Sequence, residues 1–503
     1  MNRERQRALW CFLALFLLLT SYYLVKPLRS SFFLKEFDPA NLPYFFLVFP
    51  FLSLAVTRIF DFFYQRLSRL TLIVCTYGVM IACKLFFFFA LPWGGKGITL
   101  AFYLWASAYF LLCIAVLWGC ISSVFNARAG ERLFAFIAFG GMAGAYVGSQ
   151  LSSWLAKSAW SSQALSLSAV LMAGVLGFLF LALRAAPQPA STPATPSETT
   201  SSENSGHSES PTKPRPALWR DLKTIAARPY IRGLAVIVFA VAFMNTVVEF
   251  KTQKIIDRQL ASREYVTHFA PLNRALCGEN CVHEKLFDTV YRLKKAPENA
   301  REQQLTTALK SVLSAEQQAQ FVPDSYARYE RYRSALEGST RQFFSDLNKW
   351  INLIGVFLLL VVARPLFRWC GVRWVVLILP LFFVGTALAL LFPVELSMVA
   401  SLLIGTGALN YSLNKTSKEL LYTAADEETR FRFKPLIDGP LVRFGDVFAA
   451  LLTLLVTRVL HFKDSVADPL VLGVGLLICG FWVVSAYASG VLYDVRKSED
   501  EAC

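Results

Sequence analysis

Histidine is scarce in this chain: there are four in 503 residues, at positions 207, 268, 283 and 461. So widely scattered, they do not assemble the acid–base centre that imidazole most often supplies. The sequence also lacks a GxxxxGKS/T phosphate loop, an HExxH zinc motif and a nucleophile elbow between strand and helix, so hydrolase and kinase chemistry has no carrier. The expectation is no enzyme, no cofactor and no metal. Charge is thin too, at 17% of residues, and acids are fewer than bases, 35 against 50.

What the chain has in plenty is apolar length. Hydrophobic residues make up 55% of it and the mean hydropathy is +0.46, above the roughly 45–50% usual in soluble proteins. Twelve runs reach the ~20 apolar residues that a spanning helix needs. They lie near 8–26, 42–64, 70–92, 98–124, 133–156, 162–184, 230–250, 343–363, 373–393, 397–414, 436–460 and 468–492. The fold class read from this is an all-α integral membrane protein: about twelve transmembrane helices in two six-helix halves, with a small helical insert outside the membrane. The first run follows Arg3, Arg5 and Arg7 without a small-residue cleavage site, so it reads as an uncleaved span.

The net charge of +15 would suggest nucleic acid for a soluble protein. Here the bases fall mainly in alternate loops, among them Arg66 and Arg69, Arg364, Arg368 and Arg373, and the run from Lys415 to Lys434. By the positive-inside rule both termini are cytoplasmic, which fits a bacterial inner membrane, with lipid and not nucleic acid as the surrounding partner.

Five segments follow: 1–185, the first half; 186–228, a linker; 229–250, the first helix of the second half; 251–342, a polar insert on the outer side; and 343–503, the remainder. Residues 187–216 of the linker are rich in Pro, Ser and Thr and have no apolar face to order them, so the linker is expected to be disordered and cytoplasmic. In the insert, Cys277 and Cys281 suit a small disulfide in an oxidising compartment, with two free thiols or a metal pair including His283 left open. Leu305, Leu309, Val312 and Leu313 have helical spacing, and Pro323-Asp324-Ser325 marks a helix start. The stripe Tyr326, Tyr329 and Tyr332 is a packing face, or alternatively a lid or a docking face for a periplasmic partner. Gly140, Gly144 and Gly148 let a neighbouring backbone come close, and Gly439-Pro440 interrupts a span.

Ionisable groups in or near spans are costly, roughly 2.5–3.5 kcal/mol at a helix centre, and so mark function. They are Lys26 and Arg29, Arg58 and Asp61, Lys84, Glu249 and Lys251, then Lys415, Lys418, Glu419, Asp438, Arg443 and Asp446. The tenth and eleventh spans carry Tyr411-Ser412-Leu413, Lys418-Glu419, Tyr422, Lys434, Ile437-Asp438 and Gly445. This order resembles the ATP/ADP translocases of plastids and intracellular bacteria. Tyr23 with Lys26 and Arg29, Leu117-Trp118-Gly119, Pro229-Tyr230-Ile231-Arg232 and Val248-Glu249 fall in line with the same family.

The resemblance implies a twelve-helix, major-facilitator-like transporter that exchanges nucleotides or related anions without hydrolysing them, using Arg29, Glu249 and Lys418 with Lys26 beside them; a monomer is expected. The chain departs from the family where its span-four glutamate is Val116 and where an acid is replaced by Lys415. The expected substrate is a small anionic solute such as a nucleotide or another phosphorylated metabolite. Lys26, Arg29, Lys84, Glu249, Lys418 and Arg443 are expected to face a central cavity, with Lys415, Glu419, Asp438 and Asp446 as gate or ion-pair groups. Glu249 would hold a cation in the empty state and release it to substrate. The rival reading is a membrane scaffold or receptor that binds a partner through 251–342.

Overall fold

A computed structural model describes residues 3–64, 66–125, 127–158, 160, 163–184, 218–278, 282–425, 429 and 433–502. The first half comprises α1 (Arg3–Glu36), α2 (Leu42–Tyr64), α3 (Arg69–Ala90), α4 (Lys96–Val124), α5 (Ala127–Lys157) and α6 (Ala164–Arg184). Short α7 (Leu218–Ala227) precedes α8 (Pro229–His268), which opens the second half. Then come α9 (Ala270–Cys277), α10 (Glu284–Arg292), α11 (Glu298–Val312), α12 (Ala315–Phe321) and α13 (Ser325–Phe357). The chain closes with α14 (Ala363–Cys370), α15 (Val372–Val375), α16 (Ile378–Ala389), α17 (Leu396–Leu409), α18 (Lys415–Thr423), α19 (Lys434–Leu436), α20 (Val442–Leu454) and α21 (Asp464–Ala502).

Among the described residues, 11 helices are long and apolar enough to cross a membrane. The remaining expected span, near 133–156, falls in α5. It has the length, 31 residues, but glycines and serines replace apolar side chains where it packs on its neighbours. A Cβ on Gly144 would sit 2.1 Å from the Phe16 carbonyl oxygen of α1, and one on Gly148 would sit 2.6 Å from that of Thr20. Close backbone approach therefore holds α5 to α1, as the spacing of these glycines implies.

The insert boundaries fall inside helices. α8 runs 40 residues, about 60 Å at 1.5 Å per residue, twice the ~30 Å of hydrocarbon. It is thus long enough to cross and continue past the apolar layer through position 251, while α13 runs unbroken through 342 and 343. Solvent changes along these helices; backbone conformation does not. The insert also shares one buried core with the second half and the C-terminal end of α1, joining Leu286, Phe287, Leu305 and Leu309 to Phe33, Leu34 and Phe243. Tyr329 and Tyr332 are buried in it, so that part of the tyrosine stripe is packing.

Polar contacts tie the first half to the insert and α13 at this same end. Lys35 meets Glu337 at 2.5 Å, and Glu36 meets Arg333 and, at 3.8 Å, Arg301. Deeper, Ser152 bonds Ser345 at 2.8 Å and Ser153 donates to Asp346 at 2.7 Å. Inside the insert Asp257 is fully buried, accepting from Lys294 and, at 2.5 Å, from Tyr291. Burial, then the Asp257 charge, raises the Tyr291 pKa, so its hydroxyl stays a donor.

Complete π-helical turns are described at Leu358–Val362, Asn410–Asn414, Ile437–Leu441 and Leu455–Val459. These four are in the second half. The third contains Gly439-Pro440, whose missing N–H helps to open the hydrogen-bond ladder there.

Candidate functional site

Lys26 and Arg29 are three residues apart on α1 and so share a helix face. Lys26 Nζ donates to Asn348 Oδ1 of α13 at 2.8 Å and stands 5.3 Å from the Tyr23 ring. Arg29 Nη1 donates to Ser107 Oγ of α4 at 3.0 Å, with its guanidinium 5.1 Å from the Tyr103 ring centroid. Both cations are thus held by neutral amides, hydroxyls and ring faces, which position a charge without cancelling it.

On the opposing wall, α8 presents Glu249 and, one turn on, Gln253. Glu249 is half-buried and within electrostatic reach of Arg29 and Lys26. Gln253 is buried, and its Oε1 has no hydrogen-bond partner, an arrangement that costs about 1–3 kcal/mol unless something else supplies a donor.

These groups line a half-open chamber of about 390 Å³ between α1, α8, α13 and α17 with the π turn that follows it. Tyr22, Tyr411, Asn245 and Asn410 complete its polar and aromatic lining. A smaller space of about 170 Å³ adjoins it, lined by Arg29, Glu249, Tyr103, Ser107 and Arg443. Arg29 and Glu249 therefore belong to both. Arg443 Nη1 lies 3.1 Å from Asp446 Oδ2, and the other oxygen of Asp446 accepts from Thr246 at 2.8 Å. The Arg443 charge is answered locally.

Two expected cavity residues lie elsewhere. Lys84 is fully buried inside the first half, where Nζ donates to Ser21 Oγ at 2.7 Å and Ser168 Oγ at 2.5 Å, with the Tyr109 ring 4.9 Å away. It lines neither chamber, because α3 turns it toward α1 and α6. Lys418 pairs with Asp438 at 2.9 Å, and Tyr422 donates to the same oxygen at 3.3 Å. Glu419 pairs with Lys434 at 2.6 Å, and Lys415 is exposed. The tenth-span charges thus fasten α18 to the start of the next span. The side chains of Arg58 and Asp61 lie outside the described residues, as does Cys281; Cys277 is disulfide-bonded.

Reading the sequence missed Ser107, Gln253 and Asn348. The signal for Asn348 was present as Asn348 and Asn352, four apart in an apolar run. Gln253 was hidden by assigning everything after Lys251 to the insert.

No protein-family model matches this chain, and no curated protein does. Solved structures do. Over 98% of this chain and 99% of the other, it overlays the nucleoside transporter NupG at a TM-score of 0.50 with 13% identity. A bacterial homologue of the human lysosomal transporter Spinster, in an inward-facing and unoccupied conformation, aligns over 99% and 97% with a TM-score of 0.47 and 10% identity. The likeness to NupG is one of fold, that of an all-helical membrane protein.

Proposed function

We propose that this chain is a secondary transporter that carries an anionic solute across a membrane by alternating access, with Lys26, Arg29 and Glu249 as its binding groups. The observation that carries this reading is the convergence of two cations held by neutral partners and a carboxylate on a chamber between the two halves. Transporters built from two related halves place substrate at that interface. The resemblance to nucleotide translocases and the two wall tyrosines favour a phosphorylated metabolite, of which a nucleotide is one case. Basic loops favour cytoplasmic termini and a bacterial inner membrane.

The scaffold alternative finds less support. Several of the insert's charges and tyrosines, Lys294, Arg333, Tyr329 and Tyr332 among them, are turned inward, onto Asp257, Glu36 and the shared core. Its flanking helices are continuations of spans. Uptake by reconstituted vesicles tests the proposal: Arg29→Ala should abolish accumulation of the transported anion while insertion and cooperative melting persist. Unchanged uptake in that variant would remove the site.

A further inference from the structure

The larger chamber is polar in a directional way. Its α1 wall offers only positive charge, Lys26 and Arg29, while its α8 wall offers acceptors, Glu249 and the partnerless Gln253 Oε1 one turn further on. The charges number two positive and one negative. Arg443 in the adjoining space adds none, because Asp446 answers it.

From this we infer, resting on the transport reading above, that the solute is a single-phosphate ester bearing a hydrogen-bond-donating amine or hydroxyl at its other end, and that the chamber discriminates against di- and triphosphates. A phosphate monoester carries about −1.5 to −2 at neutral pH, which Lys26 and Arg29 match charge for charge. The donor end meets Glu249 and satisfies the buried Gln253 oxygen, and a planar ring between them would lie against Tyr22 or Tyr411. Longer phosphate chains fail on charge. A triphosphate brings further negative charges that find no additional cation in this chamber and are repelled by Glu249. Size agrees: about 390 Å³ is near the lower end of the ~300–1,000 Å³ range of ligand sites.

The test is thermal stabilisation of the purified full chain with AMP, ADP, ATP, adenosine and inorganic phosphate, in the wild type and in Glu249→Gln and Gln253→Leu. The expected order in the wild type is AMP above ADP above ATP, with adenosine and phosphate each weaker than AMP. Glu249→Gln should raise relative affinity for ADP and ATP by about tenfold, since it removes the repelling charge. Gln253→Leu, which keeps every charge, should narrow the gap between AMP and phosphate. ATP binding as well as or better than AMP in the wild type would overturn the inference while leaving anion transport standing. No shift with any anion, in a protein that melts cooperatively, would overturn the transport reading itself.

Discussion

The insert and the central chamber use similar residues in opposite ways. In the insert and where α1 meets it, charges are spent on one another: Asp257 on Lys294, Glu36 on Arg333 and Arg301, Lys35 on Glu337. In the chamber, Lys26 and Arg29 are positioned by amide, hydroxyl and ring groups and keep their charge for something else. A charge answered within the protein builds structure, and one left open is available to a ligand. Mutations should therefore separate the two regions, with stability lost in the first and binding lost in the second.

The largest stability effect should come from Lys294→Met. It leaves Asp257 buried with only the Tyr291 hydroxyl for company, and breaking a buried pair from one side costs about 3–5 kcal/mol. Chemical denaturation in detergent should show a shift of that order, and a stability unchanged within 1 kcal/mol, on the scale of a surface pair, would erase the contrast between the regions. Arg29→Ala should do the reverse. Loss of a charge-assisted contact is worth about 1.5–3 kcal/mol, so binding of the stabilising anion should weaken at least about tenfold with the melting curve of the empty protein nearly unmoved. A fall in stability larger than the fall in affinity would class Arg29 with the insert charges.

How much of this could be read from the chain itself depended on what each feature rests on. Eleven of the twelve expected spans were legible because hydrophobic length decides them, and the Gly140, Gly144 and Gly148 stripe was legible because its spacing matches its contact with α1. The limits of the insert were not, since α8 and α13 pass from lipid to water with no change in backbone preference. Nor could sequence separate Lys26 from Lys84 or Lys418. All three are lysines in or beside apolar runs, and which way each points is fixed by helix rotation and packing. The partner of Lys418, Asp438, lies 20 residues away across a turn, a pairing that no local spacing announces.

The glycine contact supplies a smaller test on the first half. Gly144→Ala would drive a methyl group against the Phe16 carbonyl at 2.1 Å, and α1 would have to move. Overpacking of this kind costs about 1–3 kcal/mol. Because α1 also carries Lys26 and Arg29, the displacement should weaken anion binding along with stability. Gly439→Ala is the control, as a Cβ there meets nothing within 4 Å. Equal effects at both positions would mean that close approach is not what holds α1 to α5.

The smallest effect should be that of Lys84→Met, and it bears on the comparison most directly. Lys84 is as buried as Lys294, yet its two acceptors do not depend on it: Ser21 and Ser168 bond each other at 2.8 Å, and each also reaches the other's backbone carbonyl, at 3.0 and 2.9 Å. Removing the ammonium therefore strands no charge and leaves no hydroxyl without a partner. Methionine has a similar reach and fills gaps readily, and it carries no charge whose burial has to be offset. Stability should change by less than about 1 kcal/mol, and anion affinity should hold. A loss of affinity in a well-folded Lys84→Met variant would instead tie Lys84 to the chamber through Tyr109 and Tyr22, whose rings lie 6.2 Å apart, and would move one buried cation from the structural side of the comparison to the binding side.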